Sequence, residues 1–258
     1  MITFNSDRTR SRALIRLTRR TALRAGGLLS GLLMTGWLLT GCATHSFDPG
    51  LTGPFHEIGN FFLINHALPP HVRRVAMLPL SSTQTTQTAD KGRESLEPIL
   101  YGELSKKRLF EIVRITPEQL DAWTGKTNWK AEDQLPANFL TKIRESSACD
   151  AILFSQMTYY QPYPPLAVGW RLLLVDSNDG QTLWSLDEIF DAGEPRVANS
   201  VRRFALENER TNAELTKQMG TKYGPAFSGR VFGLEWINSP LHFARYTANA
   251  AAETLMPK

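Results

Sequence analysis

Apolar and polar positions fall into three regimes along the chain. From Ala25 to Gly41 an uncharged run of 17 residues is dominated by Leu, Gly and Ala. From Ala43 to Val72 the pattern is broken by Pro49, Gly50, Gly53, Pro54, Pro69 and Pro70, which stop any long element. Phe55, Ile58, Phe61, Phe62, Leu63 and Ile64 in that stretch are nonetheless too apolar to leave in water, so part of it is expected to pack on the domain downstream. From Arg73 onward, short apolar runs alternate with helical periodicity, the signature of a folded domain.

Arg73 to Leu80 reads as a buried strand, followed by the uncharged polar loop Ser81 to Thr88. A helix is expected from about Lys91 to Lys107, with Leu96, Ile99, Leu100 and Leu104 on one face and Pro98 in its first turns or at a kink. Leu109 to Ile115 is the next strand. Thr116 and Pro117 then form a helix start, Thr as N-cap and Pro at the first helical position. A further helix spans about Pro136 to Ser146. Strand and helix alternate through this half, which predicts parallel pairing. Ala151 to Tyr160, Ala167 to Val175 and Gln181 to Phe190 are strands joined by short turns, and predict an antiparallel meander. Residues 196–219 and 243–255 read as helices. The expected fold is α/β: a mixed sheet of parallel strand–helix units followed by an antiparallel meander, with helices packed on it and a helical C-terminal extension.

Charge places the first regime. The 24 residues before Ala25 hold seven arginines against Asp7 alone, the charged n-region that precedes the apolar core of a signal peptide. Leu39-Thr40-Gly41-Cys42 closes that core and resembles the lipobox of bacterial lipoproteins. Cleavage is expected between Gly41 and Cys42, and the Cys42 thiol is the nucleophile that takes a diacylglycerol, with palmitate among the expected acyl chains. Thr18 to Arg24 resembles a twin-arginine export motif with Ala22 where that motif prefers Phe, so twin-arginine and Sec export both stay open. With seven basic and one acidic residue in 1–41 removed from 29 and 25, 22 and 24 remain. The basic character therefore belongs to the signal, and no nucleic-acid partner is expected. Cys149 is then the sole remaining thiol and reads as a buried structural residue.

The order of elements carries a resemblance. A strand ending in Leu78-Pro79-Leu80, the segment Ala148-Cys149-Asp150-Ala151-Ile152-Leu153-Phe154, and the spacing Asp176, Gly180, Trp184 resemble the TolB-N-terminal-like lipoproteins. That group includes the penicillin-binding-protein activator LpoB and the curli-secretion protein CsgG. Its middle motif reads Gly-Ala-Asp-Ala-Val-Leu, and this chain departs from it by placing Cys149 before Asp150. The resemblance covers residues 73–192 and implies fold more than function. The expected organisation is a signal peptide over 1–41, a lipidated tether over 42–72, a TolB-N-terminal-like domain over 73–192 and a mainly helical extension over 193–258.

Catalytic templates fail on named residues. His56-Glu57-Ile58-Gly59-Asn60 has Asn60 where a zincin needs its second His, and Gly125-Lys126-Thr127 has Leu120 where a P-loop needs its first Gly. Four of the five histidines lie in the tether, so a hydrolase would have to rely on His242, and no Gly-x-Ser-x-Gly elbow exists to serve it. No enzyme activity, metal or cofactor is expected. Tyr159, Tyr160, Pro162 and Tyr163 crowd one hairpin end; they either anchor a partner or cap the sheet edge. The expected function is a membrane-anchored, non-catalytic interaction or assembly module regulating an envelope protein. The alternatives are a subunit of a CsgG-like secretion pore, which would need hairpins that cross the bilayer, and an envelope enzyme of unknown chemistry. Ala43, rather than Asp, after the lipidated residue favours the outer membrane, facing the periplasm.

Overall fold

The computed structural model describes residues 52–218 and 235–257; Gly41, Cys42 and the whole signal segment lie outside them. Residues 48–258 form one compact unit. Its centre is a seven-stranded mixed sheet in the order β1-β7-β6-β5-β2-β4, with β3 beside β5. The strands are β1 (Phe61–Leu63), β2 (Arg74–Met77), β3 (Ser81–Ser82), β4 (Glu111–Arg114), β5 (Ala151–Gln161), β6 (Ala167–Asp176) and β7 (Thr182–Asp191). β4, β2 and β5 run parallel, and β5, β6, β7 and β1 run antiparallel. The expected mixed α/β sheet, parallel units first and meander second, is what the chain forms.

Helices fill the crossovers. α1 (Gln87–Lys106) joins β2 to β4, and α2 (Pro117–Thr124) and α3 (Phe139–Ser147) join β4 to β5. α1 begins four residues before the expected Lys91 because Thr86 is its N-cap, its side chain accepting from the Ala89 N–H. Pro98 therefore falls in the middle of the helix rather than in its first turns. α2 starts as expected: Thr116 and Gln119 form a reciprocal capping box with Pro117 in the first turn, and Gly125 ends it in the left-handed region.

The motif residues of the resemblance have structural tasks. Asp150 Oδ2 accepts from the Arg73 and Arg74 N–H groups, both at 2.9 Å, and ties the start of β2 to β5. Asp176 Oδ1 accepts from the Asn178 N–H at 2.8 Å and shapes the β6–β7 turn, where Gly180 takes a φ of +75° that a side chain would strain. Trp184 is fully buried.

The alternation of side chains across the sheet divides the core in two. One face carries Val75, Met77, Leu153, Trp170, Leu172, Trp184, Leu186 and Phe190 and is covered by α1, α4 (Pro195–Gln218) and α5 (Pro240–Glu253). The other face carries Ala76, Leu78, Ile152 and Phe154 under Leu120, Trp129, Phe139 and Ile143 from α2, α3 and their connection. α5 is built into the first core: Phe243, Ala244, Tyr246, Ala248, Ala251 and Ala252 are buried, and Thr247 and Thr254 accept hydrogen bonds from the Trp170 and Trp184 indoles, both at 2.9 Å. The alanines let this helix lie close to the sheet.

Cys149 is buried, and burial pushes its thiol up, which leaves it a packed structural residue rather than a nucleophile.

Candidate functional site

α2 and α3 cover only the parallel half of the second face, so the antiparallel half is left open there. Register places its residues. Phe62 faces Ser185, Arg171 faces Asp187, and Gly169 stands between Tyr159 and Ile189. Phe62, Tyr159 and Ile189 are 49, 36 and 54% exposed, three of the five large apolar side chains that stand out on the described surface. Between them Arg171 donates to Asp187 at 2.9 Å and approaches Glu132 at 3.7 Å. The surface is thus an apolar row at each end with an ion pair across the middle. Gly169 contributes a dent, and a Cβ there would meet Thr158 Oγ1 at 2.4 Å.

The hairpin residues singled out in the sequence are not gathered into one patch. A register shift between Met157 and Tyr159 sends Tyr159 to the open face and Tyr160 to the helix-covered one. The Tyr160 ring lies against Gly92 of α1, where a Cβ would come within 2.5 Å of it, and its N–H donates to Gln84 Oε1. Burial, helped by Tyr163, pushes the Tyr160 phenol up. Tyr163 alone stands out at the tip beside Pro162, 73% exposed. Gln161 Nε2 holds that loop by donating to the Pro165 carbonyl at 2.6 Å. Tyr159 and Tyr163 are therefore free to touch a partner, whereas Tyr160 is packing. His242 stacks on Trp236 with ring centroids 4.7 Å apart, in a helix start capped by Ser239; among the described residues no acid or nucleophile is hydrogen-bonded to its ring.

A polar cluster lies on the covered face, from residues remote in sequence. The His56 N–H donates to Ser200 Oγ at 2.8 Å, and its ring packs edge-on against Phe190 with centroids 5.4 Å apart. His56 Nε2 is 3.3 Å from Glu188 Oε1, in ion-pair range but poorly aligned for a hydrogen bond. Burial drives the neighbouring Tyr246 phenol up to about 12 against a hydrogen bond with Ser200, and the Glu188 charge adds to the rise. The cluster borders a groove of about 570 Å³ lined by Phe55, Ile58, Phe204 and Tyr246 among others. It links the segment before β1 to α4 and α5. No short-range sequence signal could have shown it, since His56 and Ser200 are 144 residues apart. Among the described residues, no group of three or more His, Cys, Asp or Glu side chains is placed to hold a metal ion.

At the far end of the sheet His71 Nε2 lies 2.7 Å from Asp176 Oδ2. Burial pushes the Asp176 carboxyl up, but the Asn178 N–H, His71 and the Asn178 amide together outweigh it and hold it below the ordinary aspartate value. A carboxyl lowered in the folded state stabilises it above the unfolded value of about 3.9, and that contribution is lost as pH falls through the folded value. Asp176→Asn is therefore expected to lower stability at pH 7 while flattening the part of the urea-midpoint-against-pH curve that falls below about pH 4. An unchanged acid limb in the variant would remove this role from Asp176.

No protein-family model matches the chain, and no curated protein matches it. Solved structures are similar to it over part of its length. The PelC dodecamer from Paraburkholderia phytofirmans is 18% identical over 48% of this chain and 76% of that one, with a TM-score of 0.33. Lipoprotein GNA1162 from Neisseria meningitidis is 14% identical over 58% of this chain and 99% of that one, with a TM-score of 0.35. The LpoB C-terminal domain from Salmonella enterica is 13% identical over 49% and 86%, with a TM-score of 0.32.

Proposed function

We propose that this chain is an envelope lipoprotein, held at a membrane by lipid on Cys42, whose domain is a non-catalytic module that docks another envelope protein. The docking part rests on the open half of the sheet, where Phe62, Tyr159 and Ile189 stand exposed around the Arg171–Asp187 pair. An apolar sheet surface with a polar centre, next to the exposed Tyr163, has the composition of a protein-binding patch. The anchoring part rests on the lipobox and its apolar run, and Ala43 favours the outer membrane, facing the periplasm. A pore would need the β5–β7 hairpins to cross a bilayer, whereas the Trp170 and Trp184 indoles bind them to α5.

A photoreactive amino acid at Ile189 or Tyr159, introduced in growing cells and irradiated, is expected to give a discrete higher-mass adduct. The same residue at Glu145, exposed on α3, is expected to give none. Silence at both open-face positions, or equal labelling from Glu145, overturns the docking surface.

A further inference from the structure

The segment from Thr52 to His66 lies along the domain, but in an unusual way. Between Thr52 and His71 Gly53 is the one residue that is buried, while β5 and β6 bury most of theirs. Ile58, Phe61, Leu63 and Ile64 seal the edge of the main core without entering it. What fixes the segment is a short set of polar and ring contacts. The Asn199 amide donates to the Pro54 carbonyl at 3.1 Å, the His56 N–H to Ser200 Oγ, and the Arg203 guanidinium sits 4.8 Å over the Phe55 ring. Asn60 and Asp187 then exchange bonds, the Asp187 N–H to the Asn60 carbonyl at 3.1 Å and the Asn60 amide to the Asp187 carbonyl at 2.7 Å. Sheet pairing completes the contact through the three residues of β1. Two open surface grooves border the segment, one of about 570 Å³ against α4 and α5 and one of about 480 Å³ between Phe61, His66 and Met256. Val72, buried, is where the chain becomes committed to the core, just past Pro69 and Pro70.

We infer that residues 54–66 are a releasable strap: a unit that detaches from β7 and α4 as a whole, about the 67–71 hinge, while the remaining sheet stays folded. Few buried side chains and a three-residue edge strand place its opening at the low end of the domain's local stability. The Glu188 carboxylate and the His56 ring, 17 and 13% exposed in the closed state, gain water on release, which lowers the cost of leaving the pocket. With Cys42 as the proposed lipid anchor, on which this consequence rests, release changes reach. Twelve residues separate Cys42 from Pro54 and thirty separate it from Val72. At about 3.4 Å per extended residue the tether lengthens from about 40 Å to about 100 Å. The strap is then the length adjuster between membrane and partner.

Amide hydrogen exchange on the intact chain tests this, with or without lipid, so a failure of the Cys42 reading leaves the outcome legible. The His56 and Asp187 amides, both bonded across the strap interface, are expected to exchange at least a hundredfold faster than Leu153 and Leu172 in β5 and β6. His56→Ala is expected to speed both about tenfold more without changing Leu153. A disulfide between Phe62→Cys and Ser185→Cys, opposite each other in β1 and β7, is expected to slow them to the rate of β5. Exchange of His56 and Asp187 at the β5 rate in the unmodified chain, meaning opening only on global unfolding, overturns the strap. So does a disulfide variant whose His56 amide stays fast.

Discussion

Trp170→Ala is expected to lower the unfolding free energy by about 3–5 kcal/mol, read as a shift of the urea midpoint at unchanged slope. Trp170 has no exposed surface and sits at the centre of the meander, opposite Met157 on β5 and Glu188 on β7. The substitution removes one of the largest buried side chains, opens a cavity under α5, and leaves Thr247 Oγ1 without its indole donor. The first two terms dominate, since a single neutral hydrogen bond contributes only about 1 kcal/mol. Thr247→Val separates the terms: it keeps the volume and orphans the indole N–H, for an expected loss of about 1–3 kcal/mol. Tyr163→Ala, at the exposed tip, is expected to stay within about 0.5 kcal/mol. A Trp170→Ala protein as stable as the parent would mean that α5 does not lie on β6.

Cys42→Ser is expected to abolish incorporation of a clickable palmitate analogue and to leave membrane attachment to the uncleaved apolar run from Ala25 to Gly41. One acyl chain gives only marginal binding, with a constant of about 10⁴ M⁻¹, so stable attachment requires at least two, all carried by this one sulfur and the amino group beside it. Among the described residues no helix is long and apolar enough to cross a membrane. The variant is also expected to keep its signal, which adds 41 residues on a denaturing gel. Persistence of the lipid label in the variant would take the modification away from Cys42.

The sheet is largely legible in the sequence because its strands are long and apolar. Ala151 to Phe154 and Val168 to Leu174 declare buried strands, and Asp176 to Gly180 declares the turn between β6 and β7. β1 and β3 escape for different reasons. Phe61–Leu63 sits among prolines and glycines, and its partner, Trp184–Leu186, lies more than a hundred residues later. Ser81–Ser82 pairs with β5 over two residues only, too short for side-chain alternation to reveal it. The tyrosines show a finer limit. Simple alternation would put Met157 and Tyr159 on one face, but one extra residue between them exchanges the faces of Tyr159 and Tyr160. That one-residue irregularity decides which tyrosine stands on the open face. The open face itself follows from the shortness of α2 and α3, 8 and 9 residues, which leaves no second layer for the meander.

The position of α5 downstream of every strand sets the order in which the domain can be completed. A ribosome or a translocation channel delivers β5, β6 and β7 long before Thr247 and Thr254 emerge to receive the two indoles. Until then the sheet carries Trp170, Trp184 and Phe190 on a face with its final cover missing, an adhesive surface on a nascent polypeptide. Closure is thus withheld until α5 arrives. The same arrangement makes the residues from Pro240 onward the ones that a premature stop or a clipping protease would most damage.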